Sequence, residues 1–177
     1  MTAGRNDEIL TRWNLEKILT NRVRGIDSNP KTIQPLFDPK FFFIDLDLKN
    51  KEMIVKYMVT KLEENGIVTP YFFDTLWERE EKTSTCIGDG IAIPHGSMDE
   101  VNEARICVAT LKRPIEWTPG ENVRIIFLLA VKMNSQANIK RLKDFYIDLI
   151  RFTESEELLK EFSNQKSAID SFQFLFK

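Results

Sequence analysis

The chain has 177 residues, of which 42% are hydrophobic and 29% charged, and its formal net charge is -2. A chain of this length buries roughly 70% of the surface that its unfolded form exposes, so it needs no metal or disulfide to fold. The slightly acidic balance disfavours direct nucleic-acid contact by the bulk of the domain, and two cysteines without a CxxC pattern disfavour a disulfide framework and a structural zinc site.

The N-terminal part differs from the rest of the chain. It starts with polar residues and carries no secretory signal, and residues 7–23 repeat apolar side chains at the spacing of an amphipathic helix. Glycine and prolines then favour a break, so residues 1–35 are interpreted as a helix and linker before a main domain of residues 36–177. The longest apolar run has seven residues, Ile125–Val131, far fewer than the ~18 of a membrane span. We therefore expect a cytoplasmic protein without a membrane span.

The first half of the main domain combines strand and helix signals. Aromatic and apolar residues predict a strand at Phe41–Leu46. Asn50 is the expected N-cap of an amphipathic helix that ends at Gly66. Pro70 suits the first turn of a second helix, which runs to the charged residues 78–82. A glycine-rich stretch follows and contains a short strand-like segment at residues 91–93.

The second half predicts two long strands followed by helices. Residues 104–111 alternate in polarity, and the apolar run 123–131 is typical of a central strand covered on both faces. An apolar stripe predicts a helix at residues 139–150, and two shorter helices are expected at about 155–162 and 167–175. A turn between the two strands is indicated by Pro114, Pro119 and Gly120. The order of elements favours a three-layer α/β domain.

The single histidine of the chain, His95, has an unusual setting. Three of the seven glycines fall within residues 88–96, and glycine lets the backbone turn tightly and lets another molecule approach closely. Pro94 fixes the backbone just before the imidazole. A neutral imidazole is a competent nucleophile near pH 7, because its ordinary pKa is about 6.5. The residue types alone are equally consistent with a surface histidine that has no function.

A longer pattern surrounds His95, namely Glu80-x6-Ile87-Gly88-x2-Ile91-Ala92-Ile93-Pro94-His95-Gly96. This pattern resembles the phospho-acceptor signature of the fructose/mannitol type of enzyme IIA, a domain of the bacterial phosphoenolpyruvate-dependent sugar phosphotransferase system. The resemblance extends from about residue 36 to residue 176 and implies a mixed central sheet between helices. It also implies that His95 accepts a phosphoryl group from the histidine-phosphocarrier protein and passes it to a cysteine of enzyme IIB. Neither a metal nor a cofactor is expected, because this transfer runs between protein side chains.

The same resemblance assigns roles to residues around the histidine. It implies that Arg79 lies beside the phosphorylated ring, where a guanidinium fork suits two phosphoryl oxygens. The structural alternative is an arginine at a helix C-terminus, paired with Glu78 or Glu80. Backbone N–H groups and hydroxyls can supply further hydrogen bonds to the phosphoryl group. The candidates are Gly88, Gly90, Gly96, Ser97 and Thr85, and capping or loop hydrogen bonds explain the two hydroxyls equally well.

One position departs from the family's pattern. Many members carry a second histidine near the start of the helix after the central strand, and here Asn138 occupies that position. Asparagine donates hydrogen bonds but carries no positive charge, so a slower relay is expected if Asn138 faces the phosphoryl group. The alternative is that Asn138 caps a helix that begins at Ile139.

Two other functions are considered. Enzyme IIA-like domains also occur at the C-terminal end of bacterial transcription regulators. The alternative is therefore that the chain is a phosphorylation-controlled regulatory domain cut from a longer protein. A hydrolase dyad of Cys86 and His95 is disfavoured, because the sequence shows neither an orienting Asn or Asp nor an oxyanion hole.

Overall fold

The computed structural model describes residues 30–176, and its strands form one mixed five-stranded sheet. The strands are β1 (Phe42–Leu46), β2 (Cys86–Gly88), β3 (Ile91–Ala92), β4 (Arg105–Thr118) and β5 (Glu121–Ala130). Their spatial order is β1-β4-β5-β3-β2. The pairs β1–β4 and β3–β5 are parallel, whereas β4–β5 and β2–β3 are antiparallel. The expected mixed sheet is confirmed.

The α-helices of the described residues follow the predicted order. They are α1 (Pro30–Ile33, a single turn), α2 (Lys51–Glu64), α3 (Phe72–Lys82), α4 (Gln136–Thr153), α5 (Glu156–Ser163) and α6 (Ala168–Leu175). The expected N-cap of α2 is confirmed, because the side chain of Asn50 accepts a hydrogen bond from the backbone N–H of Met53 at 2.9 Å. The helix predicted at residues 7–23 lies outside the described residues.

Helices cover both faces of the sheet, which confirms the predicted three-layer α/β arrangement. One face packs against α2 and α3, and the other packs against α4 and α5. Alternate residues of β4 separate accordingly, because successive side chains of a strand point to opposite faces. Ile106 and Val108 belong to the core beneath α4, whereas Cys107 and Ala109 belong to the core beneath α2. All four side chains are fully buried.

Strand β4 is longer than the sequence predicts. It continues through Pro114, and the chain turns only at residues 119–120, where Gly120 has φ +82°. The ladder between β4 and β5 shifts register between Thr110 and Ile115. A residue without an N–H is tolerated at such an irregularity, and Pro114 is exposed there. The expectation of a turn at Pro114 is therefore wrong.

Packing is present slightly before the expected start of the main domain. Ile33 of α1 is 5% exposed and belongs to the core beneath α4, three residues before the expected start at residue 36. The division into residues 1–35 and 36–177 stays a prediction, because residues 1–29 lie outside the described part. No helix within residues 30–176 is long and apolar enough to cross a membrane.

Candidate functional site

His95 lies at the carboxyl end of β3, where the extended chain continues beside β5. The N–H of Ile93 donates to the carbonyl of Thr85 at 3.0 Å, and the N–H of Leu129 donates to the carbonyl of Pro94 at 2.9 Å. His95 itself forms a parallel bridge with Leu129. The histidine is therefore fixed by backbone hydrogen bonds on both sides of the chain.

The imidazole of His95 is held in one tautomer. Its Nδ1 lies 2.9 Å from the carbonyl oxygen of Ile93, and a carbonyl only accepts, so Nδ1 carries the proton of the neutral ring. The residue is 1% exposed, and Nε2 has no hydrogen-bond partner among residues 30–176. The lone pair of Nε2 is therefore available to form a bond to an electrophile.

The surroundings of His95 disfavour its charged form. Burial and, to a lesser extent, the positive charge of Arg79 lower the pKa of His95 from 6.5 to about 3, although the hydrogen bond to Ile93 opposes this shift. The ring therefore stays neutral, and Nε2 keeps its lone pair, throughout the physiological pH range.

This lowered pKa predicts a pH-dependent stability. Between about pH 6.5 and pH 3 the unfolded chain binds a proton at His95 that the folded chain does not, so the free energy of unfolding falls as the pH falls. The loss is about 1.4 kcal/mol per pH unit within this window. Urea unfolding at pH 7 and pH 5 is expected to show that the wild type loses about 2 kcal/mol more than His95→Gln. Equal losses in both proteins would contradict a buried neutral imidazole.

The loop after His95 packs directly against α3. A Cβ atom at Gly96 would lie 2.8 Å from the ring of Phe72 and 2.8 Å from the hydroxyl of Thr75, so only glycine fits without displacement. The hydroxyl of Thr75 also accepts a hydrogen bond from the backbone N–H of Ser97 at 2.9 Å. The face of α3 that carries Thr75 therefore meets the histidine loop.

Arg79 lies on this same face, one helical turn after Thr75, because residues four apart share a face of a helix. Its charge acts on the pKa of His95, so the structure brings together the two residues that the sequence places first. Glu78 and Glu80, the carboxylates that the structural alternative pairs with Arg79, both contact lysines. Glu78 pairs with Lys82 at 2.6 Å, and Glu80 pairs with Lys51 at 2.9 Å.

Glu80 holds the end of α3 in place. Its side chain is 3% exposed, and one carboxylate oxygen accepts hydrogen bonds from the indole of Trp117 at 2.8 Å and from Lys51 at 2.9 Å. The backbone N–H of Thr85 donates to that oxygen at 3.2 Å, and the hydroxyl of Thr85 donates to the other oxygen. A buried carboxylate with this many donors is fully satisfied. Glu80 therefore fixes the helix turn that presents its neighbour Arg79.

Several candidate donors are not brought to the imidazole. Gly88 and Gly90, with φ +94° and +75°, form the turn between β2 and β3. Since His95 follows the opposite end of β3, five residue-to-residue steps of extended chain place it about 16 Å from Gly90. The proton of the Thr85 hydroxyl is committed to Glu80. The N–H groups of this glycine turn and the Thr85 hydroxyl therefore do not face Nε2.

The hydroxyl of Ser97 is also engaged locally. It accepts a hydrogen bond at 3.3 Å from the N–H of Asp99, at the start of the short 3-10 turn Met98–Glu100. Of the candidate donors besides Arg79, Gly96 and Ser97 adjoin His95 in the chain, and Ser97 contacts α3 through its backbone N–H.

Asn138 lies in the first turn of α4 and does not cap it. The cap is Ser135, whose hydroxyl accepts from the N–H of Asn138 at 3.1 Å, so the expectation of a helix that begins at Ile139 is wrong. The amide of Asn138 donates to the side chain of Asn134 at 2.8 Å and accepts from Arg141 at 3.3 Å. Both ends of the amide are therefore engaged within α4 and its N-terminal flank.

Tyr146 of α4 is a further polar residue near this site that the motif does not include. The sequence places it on the apolar stripe of this helix, yet its hydroxyl is buried, and the charge of Arg79 acts on its pKa as it does on that of His95. A tyrosine on an otherwise apolar helix face is itself a signal, because a buried phenol usually requires a hydrogen-bond partner. No cluster of three or more His, Cys, Asp or Glu side chains within residues 30–176 is arranged to hold a metal ion.

The chain resembles known proteins over most of its length. The family model described as "Phosphoenolpyruvate-dependent sugar phosphotransferase system, EIIA 2" matches residues 35–177. Transcriptional regulator ManR of Bacillus subtilis is 32% identical over 133 residues, which cover 72% of this chain and 20% of the regulator. The mannitol-specific phosphotransferase enzyme IIA component of Halalkalibacterium halodurans is 30% identical over 109 residues, which cover 60% of this chain and 74% of that protein.

The fold has solved counterparts as well. A chain in the complex of enzyme IIAMTL and phosphorylated enzyme IIBMTL from Escherichia coli matches with a TM-score of 0.67 and 18% identity, and the match covers 79% of this chain and 98% of that chain. This likeness concerns the fold. The chain spans between 13% and 20% of the length of the regulators and multiphosphoryl transfer proteins that it matches first. Similar domains therefore occur both as short proteins and within much longer ones.

Proposed function

The chain belongs to the EIIA 2 family of the phosphoenolpyruvate-dependent sugar phosphotransferase system, and on this premise we propose that Nε2 of His95 is its phosphorylation site. The phosphoryl group arrives from the histidine-phosphocarrier protein and leaves to a cysteine of enzyme IIB. The observation that carries the proposal is the tautomer of His95. The hydrogen bond to Ile93 keeps the proton on Nδ1 and leaves the lone pair on Nε2.

The proposed transfer conserves atoms and charge. The Nε2 lone pair forms a bond to the phosphorus of the donor phosphohistidine, and the breaking N–P bond leaves its electron pair on the donor imidazole. In the second transfer a cysteine thiolate of enzyme IIB forms an S–P bond, and Nε2 recovers its lone pair. The proton stays on Nδ1, which donates its hydrogen bond to the carbonyl of Ile93 throughout.

Arg79 supplies the charge that this transfer requires. Phosphoryl transfer depends on positioning and electrostatic stabilisation more than on covalent chemistry of the protein. The guanidinium lies within electrostatic reach of the ring, and its planar fork matches two phosphoryl oxygens at once. Asn138 has a secondary role in this proposal, because its amide must first leave Asn134 and Arg141 before it donates to a phosphoryl oxygen.

Direct phosphorylation tests the proposed function. Incubation of the chain with phosphoenolpyruvate, enzyme I and the histidine-phosphocarrier protein is expected to add one phosphoryl group that is lost in acid and retained in base, as a phosphohistidine is. The same mixture without the phosphocarrier is the control and should add none. A chain that stays unlabelled while an authentic mannitol enzyme IIA is labelled in the same mixture would refute the proposal.

A second role is supported by the similarity to ManR, with 32% identity over 133 residues. In this role phosphorylation of His95 controls a regulator instead of supplying enzyme IIB. Asn138 is uncharged and its amide is already engaged, which is compatible with slow phosphorylation as a signal as well as with a relay. Discharge of the label to enzyme IIB distinguishes the two roles, since a relay domain passes it on rapidly and a signalling domain retains it.

A further inference from the structure

The side chain of Tyr146 carries a buried hydroxyl whose hydrogen-bonding capacity is unused within the described residues. It projects from α4, is 1% exposed, and its hydroxyl has no hydrogen-bond partner within residues 30–176. Leaving a buried polar group without a partner is costly, and buried phenols usually find one. An acceptor that arrives during function explains why a hydroxyl is kept at this position.

Strand geometry places this hydroxyl on the same side of the sheet as the imidazole. Side chains alternate along a strand, so His95 shares a face with Ile93, and its bridge to Leu129 continues the strand pairing. Ile93 and Leu129 both belong to the core that α4 covers, together with Tyr146. His95 and Tyr146 therefore approach the same layer from opposite sides.

The usual direction of a helical side chain would point this hydroxyl towards the end of the sheet where His95 lies. Long side chains of a helix point back towards its N-terminus, and the N-terminus of α4 follows the carboxyl end of β5, beside which His95 lies. The charge of Arg79 acts on both groups, since it lowers the pKa of His95 and opposes the rise that burial causes in the pKa of Tyr146. A nucleophile and a donor from two other segments therefore lie within electrostatic range of Arg79.

We propose that the hydroxyl of Tyr146 donates a hydrogen bond to the phosphoryl group carried on Nε2 of His95. The inference rests on the proposed function of His95. It pairs Tyr146 with an acceptor, a phosphoryl oxygen, that residues 30–176 do not supply in the unphosphorylated form. Asn138 stands two turns earlier on the same helix with its amide already engaged, whereas the hydroxyl of Tyr146 is buried without a partner among the described residues.

The ionisation of Tyr146 agrees with this role. Burial raises its pKa, and the opposing effect of Arg79 is smaller. The hydroxyl therefore keeps its proton at neutral pH and acts as a donor towards the anionic phosphoryl group. Hydrogen bonds to charged groups correspond to roughly ten- to a hundredfold in an equilibrium or rate constant.

Tyr146→Phe tests the inference, because it removes the hydroxyl and keeps the ring. In the unphosphorylated form the variant is expected to melt at the same temperature as the wild type or higher, since the unpaired hydroxyl is gone. Its phosphorylation by the phosphocarrier should be about ten- to a hundredfold slower. Tyr57→Phe is the matched control, because Tyr57 is 36% exposed on α2 and contacts Phe43. This control is expected to behave as the wild type.

A spectroscopic readout separates this role from packing. The Cζ resonance of Tyr146 is expected to shift when His95 is phosphorylated, whereas that of Tyr57 should stay unchanged. A wild type labelled on His95, with a variant labelled equally fast and no shift at Tyr146, overturns this inference and leaves the proposed function standing. A wild type that takes no label at His95 overturns both.

Discussion

Replacement of His95 by glutamine is expected to abolish phosphoryl transfer while the fold is retained. The amide of glutamine can donate to the carbonyl of Ile93, as Nδ1 does at 2.9 Å in the wild type, but it offers no nitrogen lone pair to attack phosphorus. The expected incorporation from phosphoenolpyruvate, enzyme I and the phosphocarrier is therefore zero.

Two measurements accompany this result. Circular dichroism and thermal unfolding of His95→Gln should confirm that the sheet and helices remain, since a buried histidine is lost without creation of a large cavity. Incorporation of label into the variant to the extent seen in the wild type would show that another residue is the acceptor, and the assignment of His95 would be wrong.

Arg79→Lys is expected to slow transfer by about ten- to a thousandfold, the range observed when a donor to a developing oxyanion is removed. Lysine keeps the charge that acts on His95, but its ammonium cannot contact two phosphoryl oxygens with a planar fork. Rapid-quench measurement of phosphorylation by the phosphocarrier is the appropriate assay.

Arg113→Lys is the matched control for this experiment. Arg113 is an exposed arginine of β4 that pairs with Asp47 at 2.8 Å, and an exposed ion pair contributes little to stability. The control is expected to transfer at the wild-type rate. If Arg79→Lys also transfers at that rate, Arg79 has only a structural role at the end of α3.

Periodic segments of the fold were predictable from the sequence, and short or irregular ones were not. The apolar run of β5 and the stripe of α4 repeat over many residues, so burial on a definite face is visible in the sequence. Strand β2 has three residues, which is too short for a period. The passage of β4 through Pro114 depends on a register shift against β5, which no local pattern reveals.

The candidate site was predictable where the chain is contiguous and less so where distant segments meet. The motif indicates His95 and its resemblance to the family indicates Arg79, and the structure shows that Arg79 comes from a helix on the other face of the sheet. The engagement of Thr85 by Glu80 follows from a buried carboxylate that also binds Trp117, 37 residues further along the chain. The role of Tyr146 depends on the face that β3 presents to α4. Side-chain partners across such distances are set by packing, which a single sequence does not encode locally.

The almost complete burial of the imidazole, with 1% exposed, has a consequence for the lifetime of the phosphorylated state. A phosphohistidine left open to solvent is lost by hydrolysis, and an enclosed site prevents such side reactions by excluding water. Under the proposed function, a phosphoryl group on His95 would be protected between donor and recipient, and each partner would have to move the covering side chains aside to reach it. In the proposed function the domain would therefore act as a store, in which access by a partner, and not the reactivity of the P–N bond, sets how long the group is kept.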